Sequence, residues 1–222
     1  MGKTSILDRY QRRFLALVLK EPNLLRTFYW TGGTVLAEFY LKHRESSDID
    51  LFCEKEFHLP SVSKFISLAG GYLKSQSIAH RQFLGLHTFV FKFSGGVLKV
   101  DFNYYPFPRI NKGKNWQGLA IDSLEDIAAN KVHTIAMKAR ERDFIDLYFI
   151  MKMSEFKLSR LVDLARAKFD WPIDPVQLGQ ILTQVVVFKE PPKMFKPFDR
   201  KKMEDFFLEL AKSLQGDIFK SG

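Results

Sequence analysis

Apolar and polar positions along this chain change period several times, and each change marks an element. Between residues 6 and 20, Ile6, Tyr10, Phe14 and Leu17 recur at helical spacing with Arg9, Arg12 and Arg13 on the polar side, which predicts an amphipathic opening helix. Thr27 to Trp30 is a short β-type run that ends at Gly32-Gly33, and Thr34 to Leu41 predicts a helix after that turn. Asp48 to Cys53 alternates polar and apolar residues with the period of two of a strand. A helix is predicted over Ser61 to Lys74. Two β runs follow, His87 to Phe93 and Val97 to Phe102, joined by a hairpin turn at Ser94-Gly95-Gly96. From Ser123 the period is helical to the end, broken at Trp171–Pro175 and at Pro191-Pro192. No internal repeat or low-complexity tract interrupts this order.

Strands therefore concentrate in the first half and helices in the second, which predicts an α+β chain in two parts. Residues 1–115 would carry a small mixed sheet and residues 116–222 a helical domain that completes the active site, with the boundary in the loop Asn111 to Asn115. The 222 residues are enough for both, since domains cluster around 100 to 150 residues. Composition adds that both parts are packed: 46% of residues are hydrophobic and 22 are Phe, which excludes a disordered chain. A single cysteine, Cys53, excludes an internal disulfide and fits a small core residue in its apolar strand. The opening residues lack an apolar signal core and no stretch approaches the ~20 apolar residues of a membrane span, so a cytoplasmic protein without membrane contact is expected. The formal charge of +9 favours polyanionic partners such as nucleic acid, although a basic surface that binds nothing has the same composition.

Candidate chemistry begins in the run Trp30 to Phe52. Gly32 and Gly33 let backbone approach a ligand closely, and the helix that follows offers free N–H groups to phosphate oxygens. A plain tight turn has the same two glycines. Asp48 and Asp50 sit two apart on a strand, so both carboxylates aim to one face while Ile49 and Leu51 aim to the other. Two such charges disfavour folding unless neutralised, and a divalent metal is the usual partner. In Val97 to Phe102, Leu98, Val100 and Phe102 share one face and leave Asp101 on the other with Val97 and Lys99. If the two strands are neighbours, three carboxylates converge and can hold two Mg²⁺ ions, one activating an attacking hydroxyl and one binding a triphosphate. A strand carboxylate paired with a lysine is the plain alternative for Asp101.

The helical half carries a second set. Lys131 falls on the apolar stripe of Leu124, Ile127, Ala128 and Ile135, where an ammonium is costly unless it meets an anion, so it either contacts phosphate or snorkels outward. Asp143 and Asp146 lie one turn apart, and either pair with Arg140, Arg142 or Lys131 to fix a site or form a structural ion pair between helices. His43 and Arg44 precede the carboxylate strand and could contact a nucleotide or form a solvated turn.

Taken together, Thr31-Gly-Gly-Thr34, His43-Arg-Glu-Ser-Ser-Asp-Ile-Asp-Leu-Phe52, Val100-Asp101, Lys131-Val-His133 and Arg142-Asp-Phe-Ile-Asp-Leu-Tyr148 make the chain resemble the AbiEii/AbiGii-like nucleotidyl transferases. These are toxins of bacterial abortive-infection and toxin–antitoxin systems. The first two motifs belong to the whole polymerase-β-like superfamily, and the lysine and Arg-Asp-x-x-Asp-Leu-Tyr segments point to this branch. The resemblance implies a polymerase-β-like sheet domain followed by a C-terminal helical domain. It implies Asp48, Asp50 and Asp101 as metal ligands and catalytic residues, Gly32, Gly33 and Thr34 at the phosphate turn, and Lys131 as a triphosphate contact. Arg44, Ser47, Arg142, Asp143 and Asp146 would support the site. The chain departs from many superfamily members at Gly33, where a serine hydroxyl commonly meets phosphate, leaving Thr34 as the substitute.

The implied activity is Mg²⁺-dependent transfer of a nucleoside monophosphate from an NTP to an RNA 3′ hydroxyl, with transfer RNA as a target and a cognate antitoxin as partner. An aminoglycoside acceptor would call for an acidic pocket, whereas this chain is rich in bases, including Lys189, Lys193, Lys196, Arg200, Lys201 and Lys202 near its end. A module that only binds RNA or protein would make the carboxylates incidental.

Overall fold

The structure, a computed structural model, describes residues 5–218. Residues 1–4, part of the stretch read for a signal core, and residues 219–222, the end of the expected helical run, lie outside the described residues. The described chain divides into two units, residues 5–40, 46–108 and 112–123 in the first and residues 41–45, 109–111 and 124–218 in the second. The first unit thus runs on past residue 115, where the boundary was expected.

Seven strands form the first unit's sheet: β1 (Tyr29–Thr31), β2 (Asp48–Cys53), β3 (Ser77–Phe83), β4 (Leu86–Phe93), β5 (Gly96–Tyr104), β6 (Asn115–Trp116) and β7 (Leu119–Ile121). Their order is β3-β4-β5-β2-β1-β7-β6. β2 lies parallel to β5 and antiparallel to β1, and β1 lies parallel to β7, so the sheet is mixed. Alternation decides which side chains are buried. Ile49 and Leu51 of β2 and Leu98, Val100 and Phe102 of β5 are fully enclosed, while Asp48, Asp50, Lys99 and Asp101 share the opposite face.

Helices α1 (Arg9–Val18) and α4 (Leu59–Leu73) belong to the same unit. The first starts in a capping box: Asp8 accepts from the Tyr10 and Gln11 N–H groups while the Gln11 side chain accepts from the Asp8 N–H, a device worth about 1 kcal/mol. The Gln11 amide also donates to the Ser46 carbonyl at 2.9 Å, tying this helix to the entry of β2. Phe14 packs edge-on against Phe65 of α4 and Phe91 of β4.

Several elements differ from those the sequence predicts. A short helix α2 (Pro22–Thr27), opened by proline, precedes β1. The helix expected from Thr34 starts at Gly32 as α3 (Gly32–Val35) and continues as a π-helical turn, Leu36–Leu41. β3 pairs only with β4 and forms a sheet edge. The hairpin β6–β7 turns through Gln117 and Gly118 at φ 53° and 96°, the two positive values that a tight primed turn needs.

The second unit contains α5 (Leu124–Lys138), α6 (Glu141–Met153), α7 (Leu158–Phe169), α8 (Pro175–Thr183) and α9 (Arg200–Ile218). Phe144 of α6 packs edge-on against Phe207 of α9. Residues 41–45 are held here by backbone: the Glu45 N–H donates to the Lys193 carbonyl and the Phe195 N–H to the His43 carbonyl, both at 2.8 Å. Residues 109–111 are held by Asp126, which accepts the N–H groups of Ile110 and Asn111 and is neutralised by Lys168 at 2.8 Å. No helix among the described residues is long and apolar enough to cross a membrane.

Candidate active site

Strand register assembles the first cluster. Asp48 stands opposite Lys99 and Asp50 opposite Asp101 on the parallel pair β2–β5, while Thr88 of β4 stands opposite Asp101 and Thr31 of β1 opposite Asp50. The expected adjacency of the carboxylate strands is therefore present, and the three carboxylates occupy one sheet face. Asp48 and Asp50 are half-buried and Asp101 is buried.

Partners order this face. The Thr88 hydroxyl donates to Asp101 Oδ1 at 2.6 Å. Lys99 Nζ lies 2.7 Å from Asp101 Oδ2 and 3.4 Å from Asp48 Oδ2. Burial works against the charged amine of Lys99, but its hydrogen bond to Asp101 and the fields of Asp48, Asp101 and Asp50 hold its pKa above the ordinary lysine value. The ammonium is a stand-in cation: it shows that these oxygens present a site for positive charge. Among the described residues no three His, Cys, Asp or Glu side chains are gathered into a ready-made metal cage, so an ion there would have to draw the carboxylates together.

The turn expected to meet phosphate lies against this face. Gly32 has φ +82°, and a Cβ built there would fall 2.1 Å from Asp50 Oδ2, so only glycine lets the turn and the carboxylate approach this closely. Thr34 is fully buried, and its hydroxyl bonds the Asp48 carbonyl and lies 2.9 Å from Ser46 Oγ. Thr34 therefore ties the turn to β2, and its hydroxyl is not presented in place of the serine that Gly33 lacks. Ser47 Oγ is 3.5 Å from Asp48 Oδ1, at the outer limit of a hydrogen bond. Cys53, at the far end of β2, is buried, and burial pushes its thiol up to about 12, as befits a core residue.

The second unit holds a separate cluster around Asp146, which is wholly buried. Its Oδ1 lies 2.8 Å from His43 Nε2 and 2.7 Å from Arg44 Nε, and its Oδ2 lies 2.8 Å from Arg44 Nη2 and 2.7 Å from Lys131 Nζ. Full burial would raise the Asp146 pKa, yet the charges of Lys131 and Arg44 and the hydrogen bonds of His43 and Arg44 hold it well below the usual carboxylate range. Lys131 also bonds Asp143 at 2.7 Å, and Arg140 bonds the other oxygen of Asp143 at 2.7 Å.

These contacts decide three expectations. His43 and Arg44 are buried and spent on Asp146, so they form neither a solvated turn nor an open nucleotide contact. Lys131 does not snorkel: it is buried, and the carboxylates of Asp143 and Asp146 take two of its three N–H groups. Arg140, not Arg142, pairs with Asp143, and Arg142 is exposed.

Thr88 is the site residue that sequence reasoning missed, while the Lys99–Asp101 contact is the carboxylate–lysine pair read as the plain alternative for Asp101, on a buried rather than an exposed carboxylate. The three-residue turn expected at Ser94-Gly95-Gly96 would set Thr88 opposite Phe102, whereas the observed turn is Ser94-Gly95, which sets Phe93 opposite Gly96 and Thr88 opposite Asp101.

Residues 13–215 match the family model of the AbiEii nucleotidyl transferase toxin of type IV toxin–antitoxin systems. An uncharacterized protein of Aquifex aeolicus (strain VF5) is 32% identical over 167 residues, which span 73% of this chain and 76% of that protein. A solved structure from H. pylori, described provisionally as a nucleotidyltransferase, aligns with TM-score 0.58 at 20% identity over 100% of this chain and 99% of its own. A second Helicobacter pylori structure aligns with TM-score 0.56 at 20% identity over 96% of this chain and 92% of its own. At these identities what is shared is the nucleotidyltransferase fold.

Proposed function

Because the chain belongs to the AbiEii nucleotidyl transferase toxin family, we propose that it transfers a nucleoside monophosphate from an NTP to the 3′ hydroxyl of an RNA, with transfer RNA the expected acceptor. The observation that carries this reading is the row of Asp48, Asp50 and Asp101 on one face of neighbouring strands, with a cation already drawn to it. Asp48, Asp50 and Asp101 would hold Mg²⁺, whose chemistry is to make the acceptor hydroxyl a better nucleophile and to neutralise the departing pyrophosphate. Asp101, whose Oδ1 accepts from the Thr88 hydroxyl, would be the carboxylate nearest the attacking oxygen. Gly32 and Gly33 would form the phosphate turn, and the lack of a side chain at Gly32 is what lets this turn lie against the Asp50 carboxylate.

Charge supports RNA as acceptor over a cationic small molecule, because the chain carries a formal +9. Lys189 and Lys193 are exposed and available to a phosphate backbone, whereas Arg200 is spent on Glu141 and the Phe188 carbonyl. An antitoxin partner is part of the same proposal, since the family belongs to type IV toxin–antitoxin systems.

The test incubates pure protein with each labelled NTP, Mg²⁺ and total RNA, in parallel with Asp48→Ala. Label in RNA that disappears with Asp48→Ala is the expected result. No label in any RNA with any NTP would sink the proposal, and label on the protein itself would redirect it to self-modification.

A further inference from the structure

We propose that Lys99 is a resident counter-ion that occupies the cation position among Asp48, Asp50 and Asp101 and competes with the divalent ion for it. This rests on the reading of that face as the metal-binding centre of a nucleotidyltransferase, and it adds a device by which the chain sets its own metal requirement.

Competition follows from which oxygens are taken. Asp101 Oδ1 accepts from Thr88, and Asp101 Oδ2 accepts from Lys99 at 2.7 Å, so each oxygen of this carboxylate already has a donor. The same ammonium is 3.4 Å from Asp48 Oδ2. Mg²⁺ binds oxygen at about 2.0–2.1 Å, and an ion on these oxygens would lie within a few ångströms of the ammonium, where two cations repel strongly. Lys99 therefore leaves when the ion enters.

The fold lets it leave. Its side chain is 37% exposed, so the amine can swing into water by rotating its own stem. Lys168 is the contrast: it pairs with Asp126 with both side chains at 0% exposure, and it has nowhere to go. Placement on β5 directly opposite Asp48 means the lysine returns to the same oxygens whenever the ion is lost. It offsets the repulsion among three carboxylates in the metal-free protein and lowers the apparent metal affinity by the fraction of time it is seated.

The experiment measures Mn²⁺ binding by the loss of the free-ion paramagnetic resonance signal, using wild type, Lys99→Met and Lys99→Arg. Lys99→Met is expected to bind Mn²⁺ about tenfold more tightly, as when the lysine-out state is roughly one-tenth populated. Without metal it should melt at a lower temperature than wild type, and Mn²⁺ should raise its melting temperature by more. Lys99→Arg keeps the charge and should stay close to wild type. Mn²⁺ affinity of Lys99→Met equal to or weaker than wild type overturns the proposal.

A second measurement needs no variant. Acetylation of Lys99 by acetic anhydride, read by mass spectrometry of the wild-type protein, should increase when Mn²⁺ is added, and labelling that Mn²⁺ leaves unchanged also overturns it. If wild type transfers label to RNA yet shows no competition, this inference alone fails. If neither wild type nor Lys99→Met binds Mn²⁺ and no RNA is labelled, the proposed function fails with it.

Discussion

Asp101 and Asp146 are both enclosed carboxylates bonded to a lysine, but their surroundings differ in one respect. Asp101 shares its partner, Lys99, with Asp48 on a sheet face that water reaches, and that lysine is 37% exposed. Asp146 is surrounded by His43, Arg44 and Lys131, whose side chains are 0%, 4% and 11% exposed. The first arrangement leaves its lysine open to water, and the second encloses its partners. Removing a charge from a cluster of repelling carboxylates relieves strain, whereas removing one from a buried network strands its partners.

The widest separation between the two clusters should come from paired substitutions. Asp101→Asn is expected to lower nucleotide transfer by about a thousandfold, several kcal/mol at 1.36 per tenfold, with unfolding in urea at or above the wild-type midpoint. Asp146→Ala is expected to cost about 3–5 kcal/mol in the same urea titration, because it leaves Arg44 and Lys131 without their shared carboxylate in a dry interior. An Asp146→Ala protein as stable as wild type would remove the distinction between the clusters.

The two clusters also differ in how far the sequence reveals them. Asp48 to Leu51 in β2 and Leu98 to Phe102 in β5 alternate polar and apolar residues, so their carboxylate face can be read from spacing, whereas the register of Thr88 depends on a turn one residue shorter than expected. In the Asp146 network the pairing with Lys131 is legible from the sequence, but that with Arg44 is not, because Arg44 and Asp146 are 102 positions apart and only folding brings them together. A histidine and an arginine before a strand look like a turn when nothing in the sequence shows what they pack against. β3 was hidden for a related reason: it is a sheet edge, and Ser77, His80, Arg81 and Gln82 are exposed on it without an apolar alternation to mark a strand. α2 and the π-helical turn are too short for periodicity to register.

A middle-sized effect sharpens the account of the sheet face. Thr88→Val removes the hydroxyl that holds Asp101 Oδ1 while keeping the shape of the side chain. A hydrogen bond to a charged group is worth about 1.5–3 kcal/mol, and some of that is recovered from water, so kcat should drop about tenfold with KM for the NTP little changed. Thr88→Ser should restore it. A fall in KM affinity with kcat intact would place Thr88 in substrate binding and not in positioning Asp101.

The smallest expected effect is one of pH, and it belongs to the buried cluster alone. An ionised Asp146 only accepts, so His43 must carry its proton on Nε2, and His43 Nδ1 is buried with no hydrogen-bond partner among the described residues. Protonating Nδ1 would bury a cation with no acceptor, and burial accordingly lowers the His43 pKa below the ordinary histidine value. A pKa lower in the folded than in the unfolded state means that stability is fully present above about pH 6.5 and is lost as pH falls from there toward the folded value. Asp146, also depressed, adds a second loss only below about pH 4, where its unfolded counterpart takes up a proton. His87 and His133 are lowered by burial too and contribute to the slope near pH 6, so the wild-type curve does not isolate His43. His43→Gln does, because a glutamine amide can still donate toward Asp146 and does not titrate. Its free energy of unfolding in urea should fall less steeply than that of wild type between about pH 7 and pH 5, by at most about 1.4 kcal/mol per pH unit for one proton. Parallel curves for the two proteins would mean that His43 titrates in the folded chain as it does in water, and that the second cluster is less closed than its geometry indicates.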